Sequence, residues 1–183
     1  MKMALPIALQ NLNPNYSRVL EFGVFSGESI RLIRQTLGLE YSIFGFDTFT
    51  GLPEDWIGTG LPQGYFNCDG NIPNIENVIL IKGNFSETLP EFLKYNNNEP
   101  CALIHIDCDL YSSTKTIFEY ITPSISEGTI IVFDEWFYAS DHGLENLCEQ
   151  KAFYEWVLSY KIDFTFIDTN KSKYCEQKII KIL

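Results

Sequence analysis

Short runs of β-branched and aromatic residues alternate along this chain with stretches whose apolar positions recur at helical spacing. The period-two and apolar runs predict strands over residues 18–24, 41–46, 78–82, 101–106 and 129–133. Between them, Ile30, Ile33, Arg34 and Leu37 mark a helix over 28–37, and a second, shorter one is expected over 86–94. A third should open at Ser112 or Ser113, either a good N-cap, and stop before Pro123. An amphipathic helix over 147–160 carries Phe153, Trp156 and Val157, which read as core by their spacing. Two alternating segments, 164–167 and 177–182, close the chain as an antiparallel pair. Strand and helix in strict alternation predict parallel βαβ construction: one α/β domain over 1–183, a single sheet with helices on both faces. The pattern lapses only in 48–75, a Gly-, Pro- and Asn-rich stretch holding Trp56, Tyr65 and Phe66. Loops of that length are often functional covers, so a lid-like insertion is expected there.

Composition narrows the function. With 45% hydrophobic and 20% charged residues the 183-residue chain has ample material for a core. Its 13 Lys and Arg against 24 Asp and Glu leave a formal net charge of -11, a field that repels nucleic acid and anionic lipid and favours cationic ligands or divalent metals. Five cysteines without C-x-x-C spacing give neither a disulfide framework nor a zinc set, as expected for a reducing cytoplasm. The first ten residues, interrupted by Pro6, are too short for a secretory apolar region, and no apolar run is long enough to span a bilayer.

Ligands of open α/β sheets sit at the carboxyl ends of the strands, and here each such end is acidic or glycine-bearing. Strand one runs into Glu21-Phe22-Gly23-Val24-Phe25-Ser26-Gly27, strand two into Asp47, strand three into Gly83-Asn84, strand four into Asp107-Cys108-Asp109 and strand five into Asp134-Glu135. Gly23 and Gly27 allow a tight turn and a close approach to a ligand, with helix amides following. Neither G-x-G-x-x-G nor a P-loop is written, and Glu21 before the turn suits a sulfonium or ammonium better than a pyrophosphate. Asp47, roughly 20 residues past the turn, is placed to accept from two ribose hydroxyls; the alternative is a turn cap. A nucleoside reader over an anionic floor without a phosphate cradle fits S-adenosylmethionine.

Asp107, Asp134 and Glu135 end two strands that should be neighbours, and such hard oxygen donors suit Mg²⁺. A metal there would hold acceptor oxygens and lower the pKa of the attacked hydroxyl; the plainer reading has Asp134 and Glu135 as caps. Asp109 would face the methionine end, orient a neighbour or join the metal. His142, in the loop after strand five, has the intrinsic pKa of a general base. His105, inside strand four, reads as a core histidine.

The segments VLEFGVFSGESI, FGFDTFTGLPEDW, VILIKGNFSETLP, ALIHIDCDLYSSTKT and GTIIVFDEWF, in order across about residues 18–137, and KAFYEWV near 151, carry a resemblance. The chain resembles class I S-adenosylmethionine-dependent methyltransferases of the macrolide-sugar O-methyltransferase type. The resemblance implies a Rossmann-like three-layer fold, a seven-stranded sheet of order 3-2-1-4-5-7-6 with strand 7 antiparallel, and methyl transfer to a hydroxyl of a small, sugar-like or natural-product acceptor. It also implies roles: Glu21, Gly23, Gly27 and Ser29 at the methionine part and glycine turn, Asp47 on the ribose, Gly83 and Asn84 near adenine. Asp107 is shared between cofactor and metal, Asp134 and Glu135 complete the metal set, and Asp107, Asp109 and His142 are the catalytic candidates. The family's N-terminal segment often covers the cofactor or joins subunits, which allows a homodimer; the 17 residues before strand one are short for it and imply a more open cleft. Relatives commonly carry Asp-Asp or Asp-Asn where this chain has Asp134-Glu135. Two rival readings remain: Asp107-Cys108-Asp109 as the D-x-D of a metal-dependent glycosyltransferase, and a cofactor-binding domain without turnover.

Overall fold

The computed structural model describes residues 4–139, 145–146, 148–171 and 175–183. Its elements follow in the order α1 (Ala4–Leu9), β1 (Arg18–Phe22), α2 (Glu28–Thr36), β2 (Ser42–Asp47), β3 (Ile79–Lys82), α3 (Phe85–Asn96) and β4 (Cys101–Ile106). The remainder is α4 (Tyr111–Ile121), β5 (Ile130–Ala139), β6 (Glu145–Asn146), α5 (Cys148–Tyr160), β7 (Phe164–Lys171) and β8 (Cys175–Ile182). The sheet runs β3-β2-β1-β4-β5-β8-β7, with the two-residue β6 pairing only with β5. Leaving β6 out, this is the order 3-2-1-4-5-7-6. β1 to β5 are mutually parallel, and the last strand is antiparallel to both of its neighbours.

Alternation along each strand sends successive side chains to opposite faces and divides the core in two. Leu20 and Phe22 of β1, Ile104 and Ile106 of β4, and Ile131 and Phe133 of β5 pack with Phe92 of α3, Phe118 of α4 and Phe153 and Trp156 of α5. Val19, Leu103, Ile130 and Val132 face the other way, onto Ile30 and Ile33 of α2 and Leu5 and Ala8 of α1. The second face therefore also receives Glu21, His105 and Asp134, each two positions along its strand from Val19, Leu103 and Val132. Burying apolar side chains on both faces is worth about 25 cal/mol per Å² and explains why these strands read as nearly continuous hydrophobic runs.

One expectation is corrected, and one element is added. The helix after β4 begins at Tyr111, with Leu110 at its N-cap and no side-chain cap. Ser112 instead donates to Glu54 Oε1 at 2.5 Å, tying α4 to the 48–75 segment. The N-terminal stretch, for which the sequence pattern predicts no element, forms α1, whose Ala4, Leu5, Ala8 and Leu9 are buried. Segment 48–75 has its own small core of Leu52 and Trp56 against Leu110, and the bridges Thr50–Asn67 and Trp56–Leu61 fold it back on itself.

Candidate active site

The turn after β1 is built around the missing side chain of Gly23. Its φ is +91°, and a Cβ there would stand 1.8 Å from the Asp107 carbonyl oxygen. Only glycine lets the ends of β1 and β4 approach this closely. Gly27, at φ +84°, occupies the N-cap of α2. Asp47, reached by the end of β2, fixes the same turn: its Oδ2 accepts the Val24 and Phe25 amides at 2.7 Å each, and its Oδ1 accepts the Phe49 amide at 2.6 Å. A carboxylate offers about four acceptor positions, so Asp47 shapes the turn and retains limited capacity for a further donor.

Below the turn lies a row of buried polar groups along the α1/α2 face. Ser29 donates to Glu21 Oε1 at 3.0 Å, and Glu21 Oε2 meets His105 Nδ1 at 2.9 Å. His105 Nε2 faces Asp134 Oδ1 at 4.0 Å, and Gln177 donates to that oxygen at 2.5 Å. Gln177 in turn accepts the Ala4 amide at 3.3 Å. Glu21 and His105 have no exposed surface. Burial opposes charge on His105, yet the carboxylates of Asp134 and Glu21 facing its two ring nitrogens outweigh it and push its pKa up to about 10. His105 is the core histidine that the strand pattern predicts, and it serves as the buried countercharge to two acids.

Across the cleft, acids crowd together. One carboxylate oxygen each of Asp107, Asp134 and Glu135 lies within 4.8 Å of the others. Glu135 Oε2 is buried without a hydrogen-bond partner among the described residues. Burial, followed by the charges of Asp107, Asp109, Asp134 and Glu149, holds the Glu135 carboxyl well above its ordinary range. Glu149, on α5, is fully buried, and burial together with Asp109, Asp107 and Asp134 pushes its pKa up in the same way. Such a gathering of hard oxygen donors fits a divalent cation and is costly without one.

A cavity of about 460 Å³ joins the two sides. Gly23, Ser29, Asp47, Asn84, Asp107, Asp109, Asp134 and Glu135 line it, with Phe25, Leu52, Pro53 and Phe66 at its apolar wall. Glu21, Gly27 and Gly83 are not part of that lining. Glu21 reaches the cavity only through Ser29; Gly83 donates to the Asp47 carbonyl at 3.0 Å and so joins the ends of β3 and β2. Trp56 is core of its own segment, whereas the exposed Phe66 ring meets Phe25 edge-on at 5.8 Å. His142 lies outside the described residues. Glu149 is the member of the acid group that the sequence reading missed. A signal existed: it precedes Phe153 by four positions and Trp156 by seven, on the stripe that α5 buries.

Residues 20–136 match the family model described as a methyltransferase domain. No curated protein matches the sequence. Among solved structures, the calicheamicin methyltransferase CalS11 is similar over 97% of this chain and 76% of its own, at 22% identity and TM-score 0.70. A second structure of CalS11 describes it as a TDP-rhamnose 3'-O-methyltransferase. An O-methyltransferase from Bacillus cereus in complex with SAH matches over 98% and 78% of the two chains, at 16% identity and TM-score 0.60. An rRNA methylase from Streptococcus thermophilus matches over 99% and 95%, at 15% identity and TM-score 0.56. A glycine turn closed on the end of β4, the sheet order and the matched span agree, and the chain belongs to the methyltransferase-domain family.

Proposed function

We propose that this protein is an S-adenosylmethionine-dependent O-methyltransferase acting on a hydroxyl of a small, sugar-like or natural-product acceptor, with a divalent cation, Mg²⁺ by donor chemistry, at Asp107, Asp134 and Glu135. The observation that carries the reading is that one cavity is walled on one side by the glycine turn and Asp47, and on the other by the acid trio. Donor and acceptor are then held across a single gap, and positioning supplies much of the rate.

The cofactor's methionine end fits over Gly23 and Ser29, with Glu21 behind Ser29 adding negative charge toward the sulfonium. Its ribose fits beside Asp47 and its adenine beside Asn84 and Phe85, all cavity-lining residues. Phe66 and Leu52 close the apolar side, and the 48–75 segment acts as the cover. A divalent ion bound by the three carboxylates supplies charge that favours an ionised acceptor hydroxyl. Asp109, held at φ +66° on the cavity wall, takes the hydroxyl proton. The fit of a cation rests on the three converging oxygens and on Glu135 Oε2, which is buried without a hydrogen-bond partner among the described residues.

A net charge of -11 and an acid-lined cavity weigh against a nucleic-acid acceptor. No helix among the described residues is long and apolar enough to cross a membrane. Family membership weighs against the glycosyltransferase reading, and the retained acids weigh against a domain without turnover.

The test is calorimetric titration with S-adenosylmethionine, followed by SAH release with Mg²⁺ present against nucleotide sugars, glycosides, catechols and a structured RNA. Binding of the cofactor with turnover of a hydroxyl-bearing small molecule is the expected result. Absence of cofactor binding would overturn the proposal, and turnover of the RNA alone would overturn the acceptor class.

A further inference from the structure

β5 does not run evenly past the acid trio. Its pairing with β8 shifts register between Phe133 and Phe137, so Asp134 and Glu135 sit on an irregular stretch of strand. Such bulges commonly re-aim side chains beside active sites, and they leave main-chain groups without ladder partners. The Glu135 amide finds its acceptor in a side chain: Glu149 Oε2, 3.1 Å away, from the first turn of α5. The other oxygen, Oε1, is buried and has no hydrogen-bond partner among the described residues, on a residue with no exposed surface.

This is an expensive place for a carboxyl group unless it holds something in position. The neighbouring charges of Asp107, Asp109 and Asp134 are all of the same sign. The imidazole of His105 is already engaged by Glu21 and faces Asp134. The α5 N-terminus favours a negative group only modestly. Glu149 is also absent from the set of residues whose oxygens converge within 4.8 Å, so it stands behind that set and does not complete it.

We propose that Glu149 is a positioning residue of the cation site: its Oε2 anchors the main chain of Glu135 on the bulge and so holds the Glu135 carboxylate toward Asp107 and Asp134, raising the affinity of the three for a divalent ion. The inference rests on the reading of those three carboxylates as a cation site. Glu149 lines no part of the cavity and touches no substrate, so its effect reaches the chemistry only through Glu135. The extra methylene of Glu135, compared with an aspartate, makes such an anchor more valuable, because a longer side chain needs a firmer base to hold its oxygen in place.

The experiment titrates the protein with Mn²⁺ alone, read by loss of the free-ion spin-resonance signal, and separately with SAH by calorimetry. Wild type is compared with Glu149→Asp, which keeps a carboxyl group but withdraws the acceptor from the Glu135 amide, and with Glu149→Gln, which keeps an acceptor there. Glu155→Gln, on the exposed face of the same helix, is the control. Removing a group that orients a metal ligand costs about 10- to 100-fold in metal affinity. That loss is expected for Glu149→Asp, with a smaller loss for Glu149→Gln and no change in SAH affinity for either. Unchanged Mn²⁺ affinity in Glu149→Asp overturns the proposal. So does a parallel fall in SAH affinity, which would mark the residue as merely structural. If Glu149→Asp does not fold, Glu149→Ala is read by the same criteria. Failure of wild type to bind Mn²⁺ removes the cation site itself and this inference with it, whereas equal binding by wild type and Glu149→Asp removes this inference alone.

Discussion

The two sides of the cleft use the same functional group in opposite ways. On the β1/β2 side each carboxylate is taken up by donors of the fold: Asp47 by three main-chain amides, Glu21 by Ser29 and His105. On the β4/β5 side Asp107, Asp109, Asp134, Glu135 and Glu149 lie close enough to raise the carboxyl pKa values of Glu135 and Glu149. The first arrangement is complete by itself and makes a rigid cradle. The second gathers acids and, on the proposed reading, is relieved by a cation. A rigid side to hold the donor and a charged side to hold and ionise the acceptor is the division of labour that the proposed transfer needs.

Gly23 is where the two sides touch, and changing it should do the most damage. In Gly23→Ala the new Cβ meets the Asp107 carbonyl oxygen at 1.8 Å while the backbone is held at φ +91°. A loss of at least about 4 kcal/mol of stability is expected in denaturant melts, because neither partner is a flexible side chain. Asp107→Ala acts on one side only. It should lower turnover about 1,000-fold, which is about 4 kcal/mol of barrier, and leave SAH affinity nearly unchanged in calorimetry. If SAH affinity falls as steeply as turnover, the proposed division between the sides is wrong. Asp47→Ala acts on the other side and strips the Val24, Phe25 and Phe49 amides of their acceptor. About a 100-fold loss of SAH affinity is expected, with Mn²⁺ affinity retained, and with a stability cost of about 1–3 kcal/mol for unsatisfied amides. Mn²⁺ binding lost together with SAH in this variant would merge the two sides into one.

The rigid side was more legible in the sequence than the charged one, for physical reasons. A glycine turn between a strand and a helix, and an acid at the next strand's end, are local features written in consecutive residues, so Gly23 and Asp47 could be singled out directly. The direction of Asp47 toward the turn amides could not, because the ribose reading and the turn-cap reading place the same residue at the same strand end. Glu21, His105 and Asp134 each stood out singly, but the row they form needs the β1–β4–β5 register, in which Glu21 pairs with His105 and His105 with Val132. Glu149 needed a tertiary fact, the docking of α5 against the end of β5, to become visible as more than a helical polar residue. α1 escaped because six residues give too little of a 3.6-residue period, and Pro6 argues against a helix unless it falls in the first turn, where its missing N–H costs nothing. The expected Ser112 cap failed for the opposite reason: a good local acceptor was drawn away by Glu54, distant in sequence.

The smallest expected effect concerns pH, and its sign separates the two sides further. The folded-state pKa of His105 is pushed up to about 10, above the ordinary histidine value of 6.5. Its contribution to stability is therefore fully present below about 6.5 and is lost as pH rises through about 10. Glu135 and Glu149 are shifted up as well, by burial first and then by their acidic neighbours, so the folded chain keeps protons that the unfolded chain releases near the usual carboxylate range. All three shifts run the same way. Without added metal, stability should decline between pH 6.5 and 9, with a slope of at most about 1.4 kcal/mol per pH unit for each proton involved. Cys101, whose buried thiol is pushed up to about 12, and Cys108, also raised by burial, steepen the decline toward pH 9, because unfolded thiols ionise near about 8.5. Denaturant melts at pH 6.5, 7.5 and 9 measure the slope directly. Saturating Mg²⁺ should flatten the part owed to Glu135 and Glu149, and His105→Asn should flatten the part owed to His105. A slope of the opposite sign in the metal-free protein would mean that the acids on the charged side are neutralised by the fold itself, and the contrast between the two sides would disappear.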